Sequence, residues 1–304
     1  MIEPLSLPSG LYIVATPLGH ARDITLRALD VLLAADVILC EDTRTTGKLT
    51  ARYGIATQRL AYHEHNAEAM RPKILAKLEA GASLALVSDA GTPLISDPGM
   101  PLVKAVRAAG HAVYTVPGAS APIAALSIAG LPTDRFSFAG FLPQKAAARA
   151  RALQDLAQAP GTLVVFESAK RLVDLLTAID DILGPREVSV ARELTKKFEQ
   201  VVTGAAADLA AQFTAEPPRG EIVVLIAQGV TEAPSADNVA AMLRDALATM
   251  SRRDAVQSVA DVTGLPRKQV YAQALALDVP LDAPPQDATD KNKKNHHDPQ
   301  DTAD

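Results

Sequence analysis

Residues 84–99 read LALVSDAGTPLISDPG, an apolar run followed by a long turn-forming segment. The run from Leu84 to Val87 is typical of a buried strand. The twelve residues after it hold two Asp, two Ser, two Gly and two Pro, whereas an ordinary strand-to-helix turn takes about 2–6 residues. Gly91 and Gly99 allow a positive φ or a close ligand contact, and the prolines stiffen the loop. We therefore predict a ligand-holding loop at the end of a strand.

Apolar runs and helical patterns alternate on both sides of this loop. The strand-like runs of the first half lie at 11–15, 37–40, 84–87 and 112–116. The helix-like stretches between them lie at 24–35, 67–80 and 100–109. This alternation predicts an open, mostly parallel α/β sheet, because helical crossovers connect parallel strands.

The second half of the chain also mixes strands and helices. Its strand-like runs lie at 136–138, 162–166, 187–191, 198–202 and 221–227. Its helical patterns lie at 119–129, 145–158, 168–182 and 205–213. Because no helix separates the two strands around ELTKKFEQ, we predict a hairpin there and a mixed or antiparallel sheet. The expected hinge between the two halves is 116–120.

These patterns divide the chain into four parts. We expect an N-terminal α/β domain, a second α/β domain, a small helical module and a disordered tail, at 1–117, 118–230, 231–278 and 279–304 respectively. The module has three short helical patterns, broken at Ser251 and Gly264, and resembles a helix-turn-helix. The tail is rich in Pro, Asp and Lys without periodicity, which is typical of disorder.

The composition excludes several classes of protein. With 304 residues, 48% of them hydrophobic, the chain can bury a globular core. It has neither an apolar run of membrane-spanning length nor a signal-peptide pattern, so we expect a cytoplasmic protein without a membrane partner. The single cysteine, Cys40, excludes an internal disulfide, and we predict no metal site. The net charge of −5 argues against a generic nucleic-acid binder, so local basic clusters matter more.

An ordered series of motifs runs along most of the chain. The motifs are GLYIVATPLGHARDITLRAL (10–29), ADVILCEDTRTTGKL (35–49), HEHN (63–66), LVSDAGTPLISDPG (86–99), VPGASAPIAALSIAGLPTDRFSFAGFLP (116–143), FESAKRL (166–172), ARELTKKFE (191–199) and GEIVVLI (220–226). In this order they resemble the bacterial 16S rRNA cytidine 2′-O-methyltransferases, within the tetrapyrrole methylase fold. The chain departs from that family at His20, where Asn is common.

The resemblance implies a fold and a reaction. The implied fold has two α/β domains of tetrapyrrole-methylase type with a donor cleft between them, plus the small C-terminal helical module. The implied cofactor is S-adenosylmethionine, and the implied substrate is 16S rRNA in the small ribosomal subunit. The methyl group would go to the ribose 2′-oxygen of a cytidine in the decoding centre. Because the fold family is usually dimeric, a homodimer is also expected.

The loops suit this donor better than a phosphate-bearing nucleotide. S-adenosylmethionine carries a carboxylate, an amine, a sulfonium and an adenine, and the chain lacks both GxGxxG and GxxxxGK[ST]. Ser120 either caps the following helix or leaves that helix N-terminus open to the donor carboxylate. Asp97 is expected to form an Asx turn. By resemblance, adenine contacts the backbone of the strand 220–226. The expected donor-binding residues are Pro17, Asp89, Gly91, Thr92, Pro93, Ile95, Ser96, Ser120, Ala121, Phe166, Glu221 and Ile222.

The acidic loop CEDTR follows a predicted strand and supplies candidate catalytic groups. Ligands of open α/β sheets bind at the carboxyl ends of strands. Asp42 either accepts the 2′-hydroxyl proton, with Glu41 as a second candidate, or caps a helix. Arg44 is a candidate to hold a neighbouring phosphate. His63, in HEHN, is a further candidate base or belongs to a solvent-facing loop.

Basic clusters in the second half and in the helical module predict phosphate contacts. Single charges of this kind are usually only solvated, but three clusters in one half favour RNA binding. The expected RNA-binding residues are Lys145, Arg149, Lys170, Arg171, Lys196, Lys197, Arg252, Arg253 and Lys268.

Two other functions remain open on the sequence alone. One is C-methylation of a porphyrin or corrin precursor by the same fold, although such relatives usually begin with a GxGxGD loop and lack the helical module. The other is a non-catalytic RNA-binding protein of ribosome assembly. A donor-binding measurement distinguishes the non-catalytic protein from the two enzymes. An assay of rRNA against uroporphyrinogen distinguishes the two enzymes from each other.

Overall fold

The computed structural model describes residues 6–229 and 236–277. They fall into two compact units, which divide between Gly229 and Val230. The described part of the first unit contains two five-stranded sheets, and that of the second contains three helices. The predicted disordered tail at 279–304 lies outside the described residues. Among the described helices, none combines the length and apolar character that a membrane crossing needs.

The first sheet is parallel, as the alternating pattern predicts. Its strands are β1 (Gly10–Val14), β2 (Val37–Cys40), β3 (Arg59–Ala61), β4 (Ser83–Val87) and β5 (Val113–Val116). They lie in the order β3-β2-β4-β1-β5, and every pairing is parallel. The connecting helices are α1 (Leu26–Ala34), α2 (Thr43–Arg52), α3 (Ala67–Glu79) and α4 (Met100–Ala108).

Helices cover both faces of this sheet, which is why its strands read as continuous apolar runs. The core on one face is formed by Leu11, Leu39, Leu84, Leu86, Ile74, Leu102 and Val106. The core on the other face is formed by Val14, Ile38, Val87, Ala28, Leu29, Val31 and Leu32. The parallel arrangement brings the carboxyl ends of β1, β2 and β4 to one edge, where the polar loops begin.

The apolar pattern does not reveal β3 or α2. β3 is a three-residue edge strand whose residues are only half-buried, so it lacks a buried apolar run. The α2 segment, TRTTGKLTAR, is mostly polar and buries only Thr46 and Thr50. Its start is fixed instead by Asp42, whose side chain caps the first turn.

The second sheet is mixed, as predicted. Its strands are β6 (Phe136–Phe141), β7 (Thr162–Ser168), β8 (Glu187–Arg192), β9 (Gln200–Ala205) and β10 (Glu221–Ile226). The order is β6-β7-β10-β8-β9, with β6 parallel to β7 and the other pairings antiparallel. The predicted hairpin around ELTKKFEQ is the β8–β9 pair. The helices of this half are α5 (Ala121–Ile128), α6 (Ala146–Leu156), α7 (Leu172–Leu183) and α8 (Ala206–Ala215).

The two faces of the second sheet have different partners. α5 packs on one face, where Ala125 and Leu126 meet Val164 and Val223. The other face carries α6, α7 and α8, through a core formed by Leu153, Leu172, Leu175, Leu176, Ile179, Leu209 and Phe213. Side chains alternate along β7, so Phe166 lies on the α5 face and Glu167 points toward the opposite face.

The second unit contains α9 (Ala236–Leu247), α10 (Arg252–Thr263) and α11 (Arg267–Ala276). The Ser251 hydroxyl caps α10 by accepting a 3.3 Å hydrogen bond from the Asp254 backbone N–H. Gly264, at φ 67°, ends that helix in the left-handed conformation that glycine tolerates best. The three helices share a small apolar core formed by Val239, Leu243, Val256, Val259, Val270 and Ala274.

Candidate active site

A pocket of about 370 Å³ lies between the two sheets of the first unit. The loop after β1, the loop after β4 and the start of α5 form one wall. The ends of β6 and β7, the β8–β9 turn and the start of β10 form the other. The lining residues are Leu18, Asp89, Ala90, Gly91, Thr92, Ile95, Ser96, Asp97, Ser120, Ala121, Pro122, Phe141, Phe166, Glu167, Ser168, Leu194, Gly220, Glu221, Ile222 and Val223.

The loop that follows β4 has an unusual backbone. Gly91 adopts φ 78°, and its N–H and C=O exchange hydrogen bonds of 3.0 and 2.8 Å with Thr16. Leu94 and Ser96 adopt φ values of 73° and 66° without being glycine. A residue held in this region costs about 1–3 kcal/mol and is found most often at functional sites. The Thr92 hydroxyl also donates a 2.9 Å hydrogen bond to the Ala119 carbonyl.

The expected donor-binding residues line this pocket, with the exceptions of Pro17 and Pro93. Ser120 occupies the N-cap position of α5, but its side chain makes no capping hydrogen bond. Its hydroxyl and the first free N–H groups of α5 are therefore available to a ligand in the pocket. Ile222 packs its side chain into the core on the far face, so it reaches the pocket through its backbone.

Carboxyl groups from β2 and β4 meet near one part of the pocket. Burial, followed by the negative charges of Glu41 and Asp89, raises the pKa of Asp97 to about 6, although a Ser88 hydrogen bond opposes this. Burial and the Asp89 charge likewise raise the pKa of Glu41. Burial also raises the pKa of Asp89, against a hydrogen bond from the Asp42 backbone. Asp97, which the sequence assigns only to a turn, therefore lines the pocket with a carboxyl group whose pKa lies closer to neutrality.

Asp42 serves as the N-cap of α2, the structural alternative that the sequence left open. Its carboxylate accepts a 2.8 Å hydrogen bond from the Arg44 backbone N–H and a 2.7 Å bond from the Arg44 guanidinium. The guanidinium and then the backbone bond lower the pKa of Asp42 to about 2. A base works best when its pKa lies near the operating pH, so this environment is unfavourable for proton acceptance by Asp42.

His63 is half-buried beside the same carboxyl groups. Its backbone N–H donates a 2.9 Å hydrogen bond to the Asn66 side chain, which fixes the turn before α3. Its ring lies edge-on to His65, with 6.0 Å between the centroids, and its Nδ1 is buried without a hydrogen-bond partner. The charge of His63 lowers the pKa of Glu41, which places the two groups close enough to interact. No set of three or more His, Cys, Asp or Glu within 6–229 and 236–277 could hold a metal ion.

Comparison with known proteins identifies the family of this fold. The family model described as Tetrapyrrole (Corrin/Porphyrin) Methylases matches residues 10–210. The chain belongs to the tetrapyrrole methylase family. A second family model, described as RsmI C-terminal HTH domain, matches residues 232–278.

Two relatives match about nine-tenths of the chain. Both are named ribosomal RNA small subunit methyltransferase I. The protein from Mesorhizobium japonicum is 45% identical over 273 residues, which cover 89% of this chain and 93% of the relative. The protein from Erythrobacter litoralis is 50% identical over 275 residues, which cover 90% and 97%.

Solved structures support the same fold. The cobalt precorrin-4 methyltransferase superposes with a TM-score of 0.55 at 21% identity, covering 71% of this chain and 94% of that one. The uroporphyrin-III C-methyltransferase from Thermus thermophilus, solved with S-adenyl homocysteine, gives 0.52 at 21% identity, covering 71% and 96%. Diphthine synthase gives 0.58 at 15% identity, covering 71% and 89%.

The pocket of this tetrapyrrole methylase fits S-adenosylmethionine. Its volume lies in the range of roughly 300–1,000 Å³ that is usual for small-molecule sites. Leu18, Ile95 and Phe166 offer apolar surface to an adenine ring and to the methylene groups of the methionine chain. The carboxyl groups of Asp89 and Asp97, which line the same pocket, would attract the positive ammonium and sulfonium groups of a bound donor. The protein is a methyltransferase, and S-adenosylmethionine is its methyl donor, as the sequence predicts.

Three of the cations expected to bind RNA have carboxylate partners in the structure. Arg149 is only 7% exposed and lies 4.0 Å from the carboxylate of Asp174. Arg171 and Lys196 are likewise paired, with Glu167 at 2.6 Å and Glu221 at 2.9 Å respectively. For these residues a phosphate contact would require the side chain to leave its partner. By contrast, the exposed cations among those expected are Lys145, Lys170, Lys197, Arg253 and Lys268, while Arg252 is half-buried.

Several pocket residues are not among the sequence predictions. Leu18, Phe141 and Leu194 reach the pocket from the loop after β1, from the end of β6 and from the β8–β9 turn. From the sequence alone, an apolar residue in a loop is taken for part of the hydrophobic core, so its contact with a ligand pocket is not predicted. Only the structure marks the position of Leu194 as unusual: its neighbours Glu193 and Thr195 both adopt left-handed φ values.

Proposed function

We propose that this protein transfers the methyl group of S-adenosylmethionine to the ribose 2′-hydroxyl of a cytidine in the decoding centre of 16S rRNA. The observation that carries the proposal is the near full-length match to relatives named ribosomal RNA small subunit methyltransferase I. The resemblance of the ordered motifs to 16S rRNA cytidine 2′-O-methyltransferases supports the finer assignment. The pocket between the two sheets supplies a donor site for it.

The pocket would favour the transfer mainly by alignment. When bound, S-adenosylmethionine supplies a methyl group on a sulfonium, which is already an activated leaving group. Leu18, Ile95 and Phe166 would shield a bound donor from water, and two backbone hydrogen bonds between Gly91 and Thr16 hold the loop after β4. Correct alignment of two reactants can contribute up to about 7–11 kcal/mol to lowering a barrier.

The acidic loops would handle the proton and orient the substrate. Asp97 is the carboxylate best suited to accept the 2′-hydroxyl proton, because it lines the pocket and its pKa is raised to about 6. Glu41 and His63 are the neighbouring alternatives. Asp42 is better suited to hold Arg44 in place, and Arg44, whose side chain is 86% exposed while paired with Asp42, would offer its remaining N–H groups to an RNA phosphate.

The proposed partner is the assembled small subunit rather than free rRNA. A chain with a net charge of −5 attracts naked RNA weakly, so protein and RNA surfaces of the particle would contribute to binding. We also propose a cytoplasmic homodimer. The family resemblance supports a second copy, which would cover exposed apolar side chains such as Leu26, Met100 and Ile123 if they lie at its interface.

Mass spectrometry of rRNA nucleosides from a deletion strain tests the proposal directly. Loss of one 2′-O-methylcytidine from 16S rRNA, restored by the purified protein acting on 30S particles, is the expected result. Naked 16S rRNA should be methylated more slowly than the particle. Methylation of uroporphyrinogen in place of rRNA would instead identify a porphyrin-precursor enzyme of the same fold. Failure to bind the donor and to methylate either substrate would point to a non-catalytic assembly protein.

A further inference from the structure

The outer face of α11 combines exposed apolar and basic side chains. Val270 and Ala274 turn inward and are fully buried. Lys268, Tyr271 and Leu275 follow the spacing i, i+3, i+7, which places them on one face of a helix. Tyr271 is 47% exposed and Leu275 is 55% exposed, although neither contributes to the core of the unit. We call Arg267, Lys268, Tyr271 and Leu275 the α11 face.

The charged side chains of α11 are all positive. The segment RKQVYAQALA contains Arg267 and Lys268 and no carboxylate. Both cations lie in the first turn and are exposed, next to the free N–H groups that open a helix. Carboxylates of the unit lie instead on α9 and α10, for example Asp245 and Asp261. The α11 face therefore suits a polyanion that also offers flat apolar surface.

We propose that the α11 face binds an unpaired stretch of rRNA, with Tyr271 stacking on a base and with Arg267 and Lys268 holding adjacent phosphates. This inference rests on the proposed function, because it assigns the RNA contact of the same methyltransferase. An aromatic ring suits RNA, whose unpaired bases are splayed out and stack on such side chains. A protein partner could also bind Tyr271 and Leu275, but two adjacent cations on a helix without a carboxylate suit the phosphates of a polyanion better.

Stacking and phosphate contacts leave different signatures in one binding experiment. The full-length protein is titrated at low salt with a short single-stranded RNA that carries 2-aminopurine, whose fluorescence is quenched by stacking. Tyr271→Ala should weaken binding by about 5- to 150-fold, abolish the quenching and leave the salt dependence unchanged. Tyr271→Phe should behave like the parent, because the ring remains. Lys268→Ala should lower the slope of log affinity against log salt by about 0.7 while keeping the quenching.

Arg244→Ala is the matched control, because Arg244 is an exposed cation of the same unit on α9. It should leave both the slope and the quenching unchanged. If Arg244→Ala lowers the slope as much as Lys268→Ala does, the α11 cations contribute only through the overall charge of the unit. If Tyr271→Ala leaves the quenching unchanged, Tyr271 does not stack on a base. Either result contradicts the proposal.

Methylation of 30S particles then separates this inference from the proposed function. Tyr271→Ala should raise KM and keep kcat, with the thermal unfolding midpoint unchanged. Loss of methylation with intact RNA binding would mean that Tyr271 contacts a ribosomal protein, which overturns the inference. If the parent binds the RNA through Tyr271 but methylates no particle, the proposed function fails while the α11 contact stands.

Discussion

The backbone N–H of His20 donates a 3.0 Å hydrogen bond to the hydroxyl of Thr195. This bond joins the loop after β1, in the first sheet, to the β8–β9 turn of the second sheet. Lys196 extends the same junction, because its ammonium group lies 3.1 Å from Glu193 and 2.9 Å from Glu221. Leu18, Leu194 and Glu221 line the pocket beside this junction. The junction therefore couples the two walls of the donor pocket.

Gly19→Ala should weaken donor binding by disturbing this junction. A Cβ at Gly19 would overlap the Cγ of Lys196 and lie 3.1 Å from the Thr195 hydroxyl, so these side chains or the turn that carries them must move. Calorimetry with S-adenosylhomocysteine should show lower affinity with the fold intact. Gly47→Ala is the matched control, because its Cβ would find only ordinary contacts at 3.8 Å and beyond. Equal affinities in the two variants would show that the junction does not shape the pocket.

The junction also shows where prediction from the sequence stops. The apolar runs of β1, β2 and β4 predict the parallel sheet, because burial on both faces leaves a continuous local signal. The loop at 88–99 is likewise detectable through its own Gly and Pro content. By contrast, the contact between His20 and Thr195 spans 175 residues, and no local pattern encodes it. The pairs of Arg149 with Asp174 and of Lys196 with Glu221 also join distant parts of the chain and are hidden for the same reason. Glu167, by contrast, lies only four residues before Arg171, and this local spacing could have indicated the pair.

The buried pair of Glu167 and Arg171 should contribute to stability rather than to RNA binding. The Glu167 side chain is fully buried, and its carboxylate forms an ion pair with the Arg171 guanidinium at 2.6 Å. Glu167→Ala would leave the half-buried guanidinium without its carboxylate partner. The free energy of unfolding should fall by about 3–5 kcal/mol, measured by denaturant titration. Replacing the pair together, by Glu167→Leu with Arg171→Met, should recover much of this loss.

Glu79→Ala controls for the loss of an exposed pair, because Glu79 faces His111 with 81% of its side chain exposed. It should change stability little. If Glu167→Ala lowered the free energy of unfolding as little as Glu79→Ala, the pair would not stabilise the connection between β7 and α7. A smaller salt dependence of RNA binding in Arg171→Ala would show instead that Arg171 leaves its partner to contact phosphate.

Asp97 should lower the stability of the free protein at neutral pH. Burial raises its pKa from 3.8 to about 6 in the folded state, so the folded state holds this proton more tightly than the unfolded state. The protonated Asp97 side chain therefore contributes stability that is fully present below pH 3.8, its ordinary pKa. This contribution is lost as the pH rises through about 6. Asp97→Asn should therefore melt above the parent at neutral pH and together with it at low pH. A constant difference in melting temperature at every pH would contradict this origin.

Asp97 and Asp42 can be separated as candidate bases by their Asn variants. If Asp97 accepts the 2′-hydroxyl proton, kcat/KM on 30S particles should rise with pH and level off above the value of about 6 that burial gives its pKa. Asp97→Asn should lower turnover by about 10²–10⁴-fold at saturating donor and remove this pH step. Asp42→Asn should keep the cap of α2 and a rate close to that of the parent, because an Asn side chain also caps helices.

The two variants need a calorimetric check of donor affinity, because Asp97 lines the donor pocket. Single-turnover methylation then reports the chemical step at full donor occupancy. A large loss in Asp42→Asn with a mild effect in Asp97→Asn would reverse the assignment, despite the pKa of about 2 that its Arg44 contacts give Asp42. If both variants lose much less activity than the removal of a general base would cause, Glu41 or His63 would become the candidate base. If variants of those residues are also mild, alignment alone accounts for the catalysis.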